Sequence, residues 1–188
     1  MFEPKEKLVG KRIYLQKPQV TFEFALKMYE VVDKNRDHII PWLDWAKPEI
    51  TSCAEDDYAF ALKADEVWKK GERFEYPIYD ISTDDFLGCV GVIKRGKDEN
   101  CSFEIGYWLK KDACGKGYMQ EALHLIEAEL FRLGAKRLQI RADVENYASN
   151  KVAQNMGYEL EGVLRQSQYN MCLHQFRDLN LYSKIKNS

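Results

Sequence analysis

The stretch KKDACGKGYMQEAL, residues 110–123, places Gly115 and Gly117 around Lys116, directly before a pattern typical of a helix. A glycine-rich turn at a helix start leaves backbone N–H groups unpaired beside the positive end of the helix dipole, so an anionic phosphate is its natural ligand. Glycine also adopts left-handed backbone conformations easily, so the same residues can form a tight turn without a ligand. Lys116 is accordingly either a phosphate contact or a solvated surface lysine.

Two common phosphate motifs do not fit this turn. The nucleoside-triphosphatase loop requires Ser or Thr directly after its lysine, whereas Gly117 and Tyr118 follow Lys116. The dinucleotide fingerprint G-x-G-x-x-G needs a further glycine where the chain has Gln120. We therefore predict neither a magnesium nucleotide nor a dinucleotide.

Four other polar side chains have types and positions that suit proton transfer or hydrogen bonding to a ligand. Asn146 and Ser149 stand at the start of a predicted short helix, where such residues are also ordinary N-terminal caps. Glu75 in FEYPIY and Glu104 in FEIGY lie on predicted strands, and alternation places each of them on the face opposite its apolar neighbours. Each carboxylate therefore faces either a cleft or water.

Composition limits the classes to which the protein can belong. The chain has 188 residues, 45% of them hydrophobic, which suits one domain spanning residues 1–188. Its formal charge is −2 and it has no basic stripe, so we expect no direct contact with nucleic acid. No apolar run is long enough for a signal peptide or a membrane span, which predicts a soluble, cytoplasmic protein without membrane contact. Five cysteines without a CxxC pair and three scattered histidines predict reduced thiols and no metal site.

Hydrophobic periodicity predicts a mixed α/β order in which the glycine turn joins a strand to a helix. Ser52-x-x-Glu55 is a capping-box pattern before a helix, and Gly134 and Gly157 end two later helices. The predicted strands lie at 11–17, 74–81, 86–95, 101–109, 137–144, 158–166 and 176–185. The predicted helices lie at 22–32, at 38–45 together with a loop, at 53–70 between Ser52 and Gly71, and at 118–133 and 149–156. The three strands in the middle of the chain, joined by turns at 82–85 and 96–100, should form an antiparallel meander.

Two blocks of sequence resemble a known enzyme family. FEIGYWLKKDACGKGYMQEAL, followed by RADVENYASNKVAQNMGYELEGVLRQ, is similar to the acetyl-CoA-binding core of the Gcn5-related N-acetyltransferases (GNAT), within the RimJ/RimL branch that acetylates protein N-termini. WLDW at 42–45 and the closing LNLYSKI extend the resemblance over essentially the whole chain. It implies an α/β (α+β) fold with a mixed, mostly antiparallel, V-splayed central sheet flanked by helices. It also implies acetyl-CoA as co-substrate, no metal, a protein N-terminus such as that of a ribosomal protein as acceptor, and a homodimer.

The resemblance assigns coenzyme contacts through these two blocks. The family pattern [QR]-x-x-G-x-[GA] falls on Cys114, Gly117 and Met119, of which Gly117 matches and Cys114 lacks the usual side-chain donor. Backbone N–H groups make most of the family's diphosphate contacts, so we expect coenzyme binding despite Cys114. In the second block, Asn146 is expected to bond a pantetheine amide and Ser149 to lie near the sulfur. The implied coenzyme contacts are Tyr107, Trp108, Leu109, Cys114, Gly115, Lys116, Gly117, Tyr118, Met119, Asn146 and Ser149.

The same resemblance implies a division of catalytic roles. Many relatives carry a tyrosine acid at the position of Ala153, so Ser149 is the candidate for protonating the leaving thiolate. Relatives often have a glutamate at the position of Glu104, which makes it the first candidate for the base, with Glu75 second. The aromatic residues expected to wall the acceptor site, or else to form core, are Trp42, Trp45 and Tyr76.

The acceptor is the least constrained part of this prediction. Residues 170–178, NMCLHQFRD, form a slightly longer loop than the RimL branch has, and such loops bound the acceptor site. A small amine, such as a polyamine, amino sugar or amino acid, is therefore an alternative acceptor. A second alternative is an acyl-CoA-binding regulator without catalysis, which Cys114 and Ala153 would suit.

Overall fold

The computed structural model describes residues 2–96 and 101–186, which fold around one sheet. The strands are β1 (Lys7–Val9), β2 (Ile13–Gln16), β3 (Arg73–Asp80), β4 (Phe86–Arg95), β5 (Ser102–Leu109), β6 (Arg137–Asp143), β7 (Glu159–Asn170) and β8 (Gln175–Ile185). The helices are α1 (Phe22–Lys34), α2 (Arg36–Ile39), α3 (Ala54–Lys69), α4 (Tyr118–Arg132) and α5 (Tyr147–Asn155). Short 3₁₀ turns lie at Asp44–Ala46 and Lys111–Ala113. Within the described residues, the order of the eight strands in the sheet is β1-β2-β3-β4-β5-β6-β8-β7.

The sheet opens between β5 and β6. These two strands are parallel, with α4 as the crossover between them, whereas the other pairings are antiparallel. Their pairing covers only residues 102–104 against residues 137–139, although β5 continues to Leu109 and β6 to Asp143. The strands therefore diverge beyond Glu104 and leave a V-shaped gap. The predicted mixed, mostly antiparallel, splayed sheet is confirmed, including the meander of β3, β4 and β5.

Helices cover both faces of the sheet with apolar side chains. On one face, Phe103 of β5 lies in the same cluster as Leu123 and Ile126 of α4. This contact fixes α4 so that its first turn follows the end of β5 through the glycine turn. On the other face, Phe24 of α1 packs edge-on against Phe86 of β4, with 6.4 Å between ring centroids. In the part of the chain that the structure describes, no helix combines the length and apolar character needed to cross a bilayer.

The cap of α3 differs from the predicted capping box by one residue. The N-cap is Cys53 instead of Ser52, so the capping carboxylate is Asp56 and not Glu55. Asp56 Oδ2 accepts hydrogen bonds from the N–H and the hydroxyl of Ser52, each at 2.8 Å. The Ser-x-x-Glu prediction is wrong because an aspartate one residue further along reaches the same donors.

Two strands also differ from the prediction. β1 is an additional strand, and its three residues are too short to show a periodicity. β7 continues to Asn170 instead of ending near residue 166, because a bulge between Leu164 and Gln168 lets the strand resume its pairing with β8. The predicted turn at 96–100 lies, beyond Gly96, outside the described residues.

Candidate active site

The glycine turn forms a cradle of free N–H groups at the start of α4. Gly115 and Gly117 have φ values of +74° and +79°, in the left-handed region that favours glycine, and Gly117 is the N-cap of the helix. Within the described residues, the N–H groups of 115–117 donate to no acceptor. Free N–H groups beside a helix N-terminus attract anions, which favours the phosphate interpretation over a plain turn.

Cys114 supports the cradle from its side. Its Sγ lies 3.4 Å from Nε2 of His38 in α2 and 3.5 Å from the carbonyl oxygen of Lys110. Burial raises the pKa of the Cys114 thiol, so the thiol keeps its proton at neutral pH. Lys111, three residues before Cys114, donates its N–H to Oδ1 of Asn35 at 2.8 Å. These bonds attach the loop to the end of α1 and to α2. Among the described residues, no cluster of His, Cys, Asp or Glu side chains is placed to hold a metal ion.

The side chains of Tyr118 and Met119 serve the fold more than the cradle. Met119 is 5% exposed and belongs to the core cluster beneath α4. Tyr118 donates its hydroxyl to Oδ2 of Asp80 at 3.0 Å. Their backbone N–H groups, in the first helical turn, are the parts of these residues that a ligand at the helix start can use.

Tyr107 and Ser149 connect β5 to α5 at the gap in the sheet. Tyr107 Oη lies 3.2 Å from Ser149 Oγ, and it also donates to the Ser149 carbonyl oxygen at 3.2 Å. Burial raises the pKa of Tyr107 to about 12, so the phenol stays protonated at neutral pH. The family resemblance predicts Tyr107 as a coenzyme contact, but no sequence pattern predicts this bond, because the two residues are separated by 42 positions.

Asn146 acts as the N-cap of α5, as its position before the helix also predicts. Its Oδ1 accepts from the Ser149 N–H at 3.1 Å. The side-chain NH₂ group of Asn146 donates to no acceptor in the described part of the chain, so the capping role leaves a donor for a ligand. Capping and ligand binding are therefore compatible at this residue.

Asn150 fixes the start of α5 and was missed by sequence reasoning. Its Nδ2 donates to the carbonyl oxygens of Asp143 and Asn146, each at 2.8 Å. Its Oδ1 accepts from Asn180 Nδ2 at 2.6 Å and from Tyr182 Oη at 3.0 Å. Asn150 is buried and bonded on both sides of its amide, so it holds the Asn146–Ser149 segment against β6 and β8. No sequence signal separates it from an ordinary helical asparagine.

On the sheet face opposite Phe103 and α4, the space above Gly106 is open, and we call it the trough. Gly106 of β5 is exposed in the middle of the sheet, and a Cβ built on it would meet no atom within 4 Å. Gly91 of β4 pairs with Gly106, and Glu75 of β3 pairs with Gly91. A Cβ on Gly91 would lie 2.9 Å from Oε2 of Glu75, so the carboxylate occupies the space above that glycine. The floor of the trough is thus bare backbone with Glu75 at one side.

The two candidate bases on this face have opposite electrostatic environments. Glu75 is 4% exposed, is ion-paired with Arg73 and accepts from Cys89 Sγ at 3.6 Å. Burial raises the pKa of Glu75 above its ordinary value, despite the Arg73 partner. Glu75 therefore takes up a proton more readily than an exposed glutamate does.

Glu104 is held more firmly in its charged form. It accepts from Arg95 Nε at 3.1 Å, from Gln139 Nε2 at 2.9 Å and from Arg141 Nη2 at 2.8 Å. Burial alone would raise the pKa of Glu104, but these hydrogen bonds outweigh burial and lower it. A carboxylate with three donors is a weak base, so the geometry favours Glu75 over Glu104 for proton acceptance.

The WLDW segment packs against β5 and against the β7–β8 turn. Trp45 packs against Trp108 of β5, with 5.7 Å between ring centroids, while Trp42 stays half-buried. Asn170 donates its Nδ2 to the carbonyl oxygen of Pro41 at 2.9 Å, and its Oδ1 accepts from the N–H groups of residues 172 and 173. Asn170 is 5% exposed, so it joins the turn to the WLDW segment through fully engaged polar groups.

Tyr76 does not belong to this wall. It is 1% exposed, lies against Trp68 and donates its hydroxyl to the carbonyl oxygen of Lys5 at 2.7 Å. Because strand alternation turns Tyr76 to the face opposite Glu75, it packs in the core and cannot line a trough on the Glu75 face. The prediction of Tyr76 as an acceptor contact is wrong, whereas Trp42 and Trp45 remain predicted acceptor contacts.

The sequence and the fold are both similar to those of known acetyltransferases. The family described as acetyltransferase (GNAT) domain matches residues 15–159. The ribosomal-protein-serine acetyltransferase of Escherichia coli (strain K12) is 28% identical over 162 residues, covering 86% of this chain and 87% of that protein. RimL, a ribosomal alpha-N-protein acetyltransferase solved with coenzyme A, superposes with a TM-score of 0.86 at 24% identity, covering 96% of this chain and 98% of that one. The microcin C7 self-immunity acetyltransferase MccE, solved with acetyl-CoA and AMP, gives 0.84 at 26% identity and covers 93% of each chain.

Proposed function

Because the chain belongs to the GNAT acetyltransferase family, we propose that it transfers the acetyl group of acetyl-CoA directly to the α-amine of a protein, such as a ribosomal protein. One observation carries the proposal. β5 ends at the free N–H cradle, borders the gap in the sheet and carries Tyr107, which bonds Ser149. The proposed diphosphate site at 115–117 therefore follows this strand along the chain, and the proposed proton donor, Ser149, is bonded to the strand through Tyr107.

The gap gives the coenzyme a binding surface made mainly of backbone. The N–H groups of residues 115–117 suit its diphosphate. The edge of β5 from Tyr107 to Leu109 is no longer paired with β6, so the pantetheine amides can bond to it as an added strand. The free NH₂ group of Asn146 suits a pantetheine carbonyl. Trp108 and Cys114 then act through the backbone or as supports of the loop.

The side chains at the gap divide the proton transfers between them. Acetyl-CoA supplies an activated thioester, in which attack by the amine nitrogen forms the C–N bond and breaks the C–S bond. Glu75 accepts the proton that the amine loses, through a water in the trough over Gly106. Ser149 donates its hydroxyl proton to the leaving sulfur and regains a proton from solvent, while Tyr107 bonds Ser149 Oγ. Glu75 releases its proton to solvent when the products leave. Glu104 remains ionised and holds Arg95 and Arg141 beside the trough.

The modest basicity of this site suits an α-amine better than a lysine. An α-amino group has a pKa of roughly 8, so about a tenth of it is neutral at pH 7, whereas a lysine amine near ~10.4 is almost wholly charged. A single buried carboxylate with a raised pKa can take the remaining proton. The relative that acts on a ribosomal-protein serine supports the same acceptor class.

Steady-state kinetics with defined acceptors test the proposal. We expect peptides with a free N-terminal Ser or Ala to have kcat/KM values at least about tenfold above those of spermidine, glucosamine and free amino acids. Matched peptides with a blocked α-amine and a free lysine should react no faster than the small amines. Mass spectrometry should locate the acetyl group on the α-nitrogen. A tenfold preference for any small amine would refute the protein acceptor.

A small amine is the second candidate acceptor. It is favoured by one observation, the 26% identity to the self-immunity acetyltransferase whose structure holds AMP beside acetyl-CoA. The kinetic comparison above separates the two classes, because both use the same coenzyme site and differ only in the acceptor.

A further inference from the structure

Arg12, in the turn between β1 and β2, contacts the backbone of the glycine cradle. Its Nη1 donates to the carbonyl oxygen of Lys116 at 2.8 Å, and its Nε donates to Oε2 of Glu121 at 2.9 Å. The guanidinium also lies over the ring of Tyr118, 4.8 Å from the centroid. Arg12 Nη2 donates to no acceptor among the described residues, and it would lie 3.4 Å from a Cβ built on Gly117. One arm of a charged donor is therefore free beside the cradle.

Glu121, in the first turns of α4, fixes the β1–β2 turn against the cradle. Its Oε1 accepts from the N–H groups of Lys11 and Arg12 at 2.7 and 2.8 Å. A Cβ on Gly10 would lie 2.6 Å from the same oxygen, so the close approach requires glycine there. Burial raises the pKa of Glu121, but the Arg12 and Lys11 donors outweigh burial and keep the carboxylate ionised. Arg12 is thus set in place by its backbone and its side chain together.

The bond to Lys116 controls the direction of a cradle donor. The carbonyl of Lys116 and the N–H of Gly117 belong to one planar peptide and point in opposite directions. When Nη1 of Arg12 holds this carbonyl, the direction of the Gly117 N–H is fixed as well. A loop with glycines at 115 and 117 has no side chains that would otherwise fix this peptide.

We propose that Arg12 is a coenzyme-positioning residue, which orients the Lys116–Gly117 peptide through Nη1 and donates to a phosphate oxygen of the coenzyme diphosphate through Nη2. This inference rests on the proposed use of acetyl-CoA. It assigns a phosphate contact to a residue about a hundred positions before the glycine turn, on an element outside the usual strand-loop-helix unit. Arg is suited to the task because its planar fork bonds a carbonyl and a phosphate at the same time, which the single ammonium of lysine does not.

The test compares two acetyl donors that share the thioester and differ in the diphosphate. Acetyl-CoA carries the diphosphate, and S-acetylpantetheine lacks it. We expect Arg12→Ala to raise the Kd and KM for acetyl-CoA at least about tenfold, to change kcat at saturation less than about threefold, and to leave kcat/KM for S-acetylpantetheine within about twofold of wild type. Arg12→Lys should restore only part of the affinity. Lys11→Ala is the matched control, because Lys11 contributes only its backbone N–H.

Several outcomes would overturn the inference. An equal loss with both donors would mean that Arg12 only maintains the fold, and wild-type affinity of Arg12→Ala for acetyl-CoA would mean that it makes no phosphate contact. Wild-type affinity of Arg12→Lys would refute the two-bond role of the Arg fork, because an ammonium can bind phosphate but cannot hold the Lys116 carbonyl at the same time. If Arg12→Ala fails to fold, Arg12→Gln replaces it in the same comparison of the two donors. Wild-type protein that binds no acetyl-CoA in calorimetry would instead refute the proposed function, so the two failures are distinguishable.

Discussion

Asp57 should make the stability of the protein fall as the pH rises toward neutrality. Asp57 lies in α3, is 2% exposed, and its Oδ2 has no hydrogen-bond partner among the described residues. Burial raises its pKa to about 7, helped by the nearby Asp56 and opposed by Arg36. The folded state therefore binds this proton more tightly than the unfolded chain does. The contribution is present at acidic pH and is lost as the pH rises from about 4 through 7.

The size of the effect follows from the pKa shift. A rise from 3.8 to about 7 corresponds to at most about 4 kcal/mol of destabilisation by the ionised form. Only the part of the shift above pH 5 falls within the range from pH 5 to pH 8, and partial solvation of the carboxylate lowers it further, so we expect about 2 kcal/mol over that range. For a chain of this length that is roughly 4–8 °C in Tm.

Urea unfolding and thermal melts at pH 5, 6, 7 and 8 measure this effect against Asp57→Asn. The wild type should lose stability across the range relative to the variant, which cannot ionise at this position. Glu55→Gln is the matched control, because Glu55 is an exposed carboxylate two residues before Asp57 on the same helix, and it should follow the wild type. Parallel pH curves for wild type and Asp57→Asn would refute the reasoning, because they would mean that Asp57 titrates alike in both states.

Three further predictions concern catalysis. Ser149→Ala should lower kcat about a hundredfold with the KM for acetyl-CoA within about threefold, and Tyr107→Phe should have a smaller effect; unchanged turnover in Ser149→Ala would remove it from the reaction. Glu75→Gln should lower kcat/KM about a hundredfold at pH 7 with little change in Tm. Glu104→Gln should mainly lower Tm, because Arg95 and Arg141 lose their partner. The reverse pattern would make Glu104 the base. Asn170→Ala should raise the acceptor KM about three- to tenfold and leave the acetyl-CoA KM unchanged. His174→Ala is the control in the same turn. Equal changes in both KM values would contradict a role confined to the acceptor wall.

The parts of the site that sequence reasoning predicted are those in which one short segment suffices. Gly115, Gly117 and the Asn146–Ser149 turn each depend on local backbone geometry, so their spacing predicts a tight turn and a helix cap, and the family resemblance adds the ligand. The β5–α4–β6 unit follows from periodicity for the same reason.

The parts that were missed depend on contacts between distant segments. Arg12 reaches Lys116 across 104 positions, and Asn150 meets Asn180 across 30. Periodicity carries no information about such pairs, because it fixes which face a residue occupies and not what lies opposite. Tyr76 differs from these cases, because alternation alone puts it on the face opposite Glu75, and only its aromatic character suggests an acceptor wall.

Gly106, the exposed glycine in the middle of the sheet, is a position where a substitution can change substrate choice without changing the fold. Gly106 has no positive φ to maintain and no neighbour that a methyl group would strike, so alanine or serine there should leave the fold unchanged. Any group added at this position would project into the trough alone. A series of larger side chains at Gly106 would therefore measure how much room an incoming amine needs, and the acceptors excluded at each step would describe the shape of the natural one.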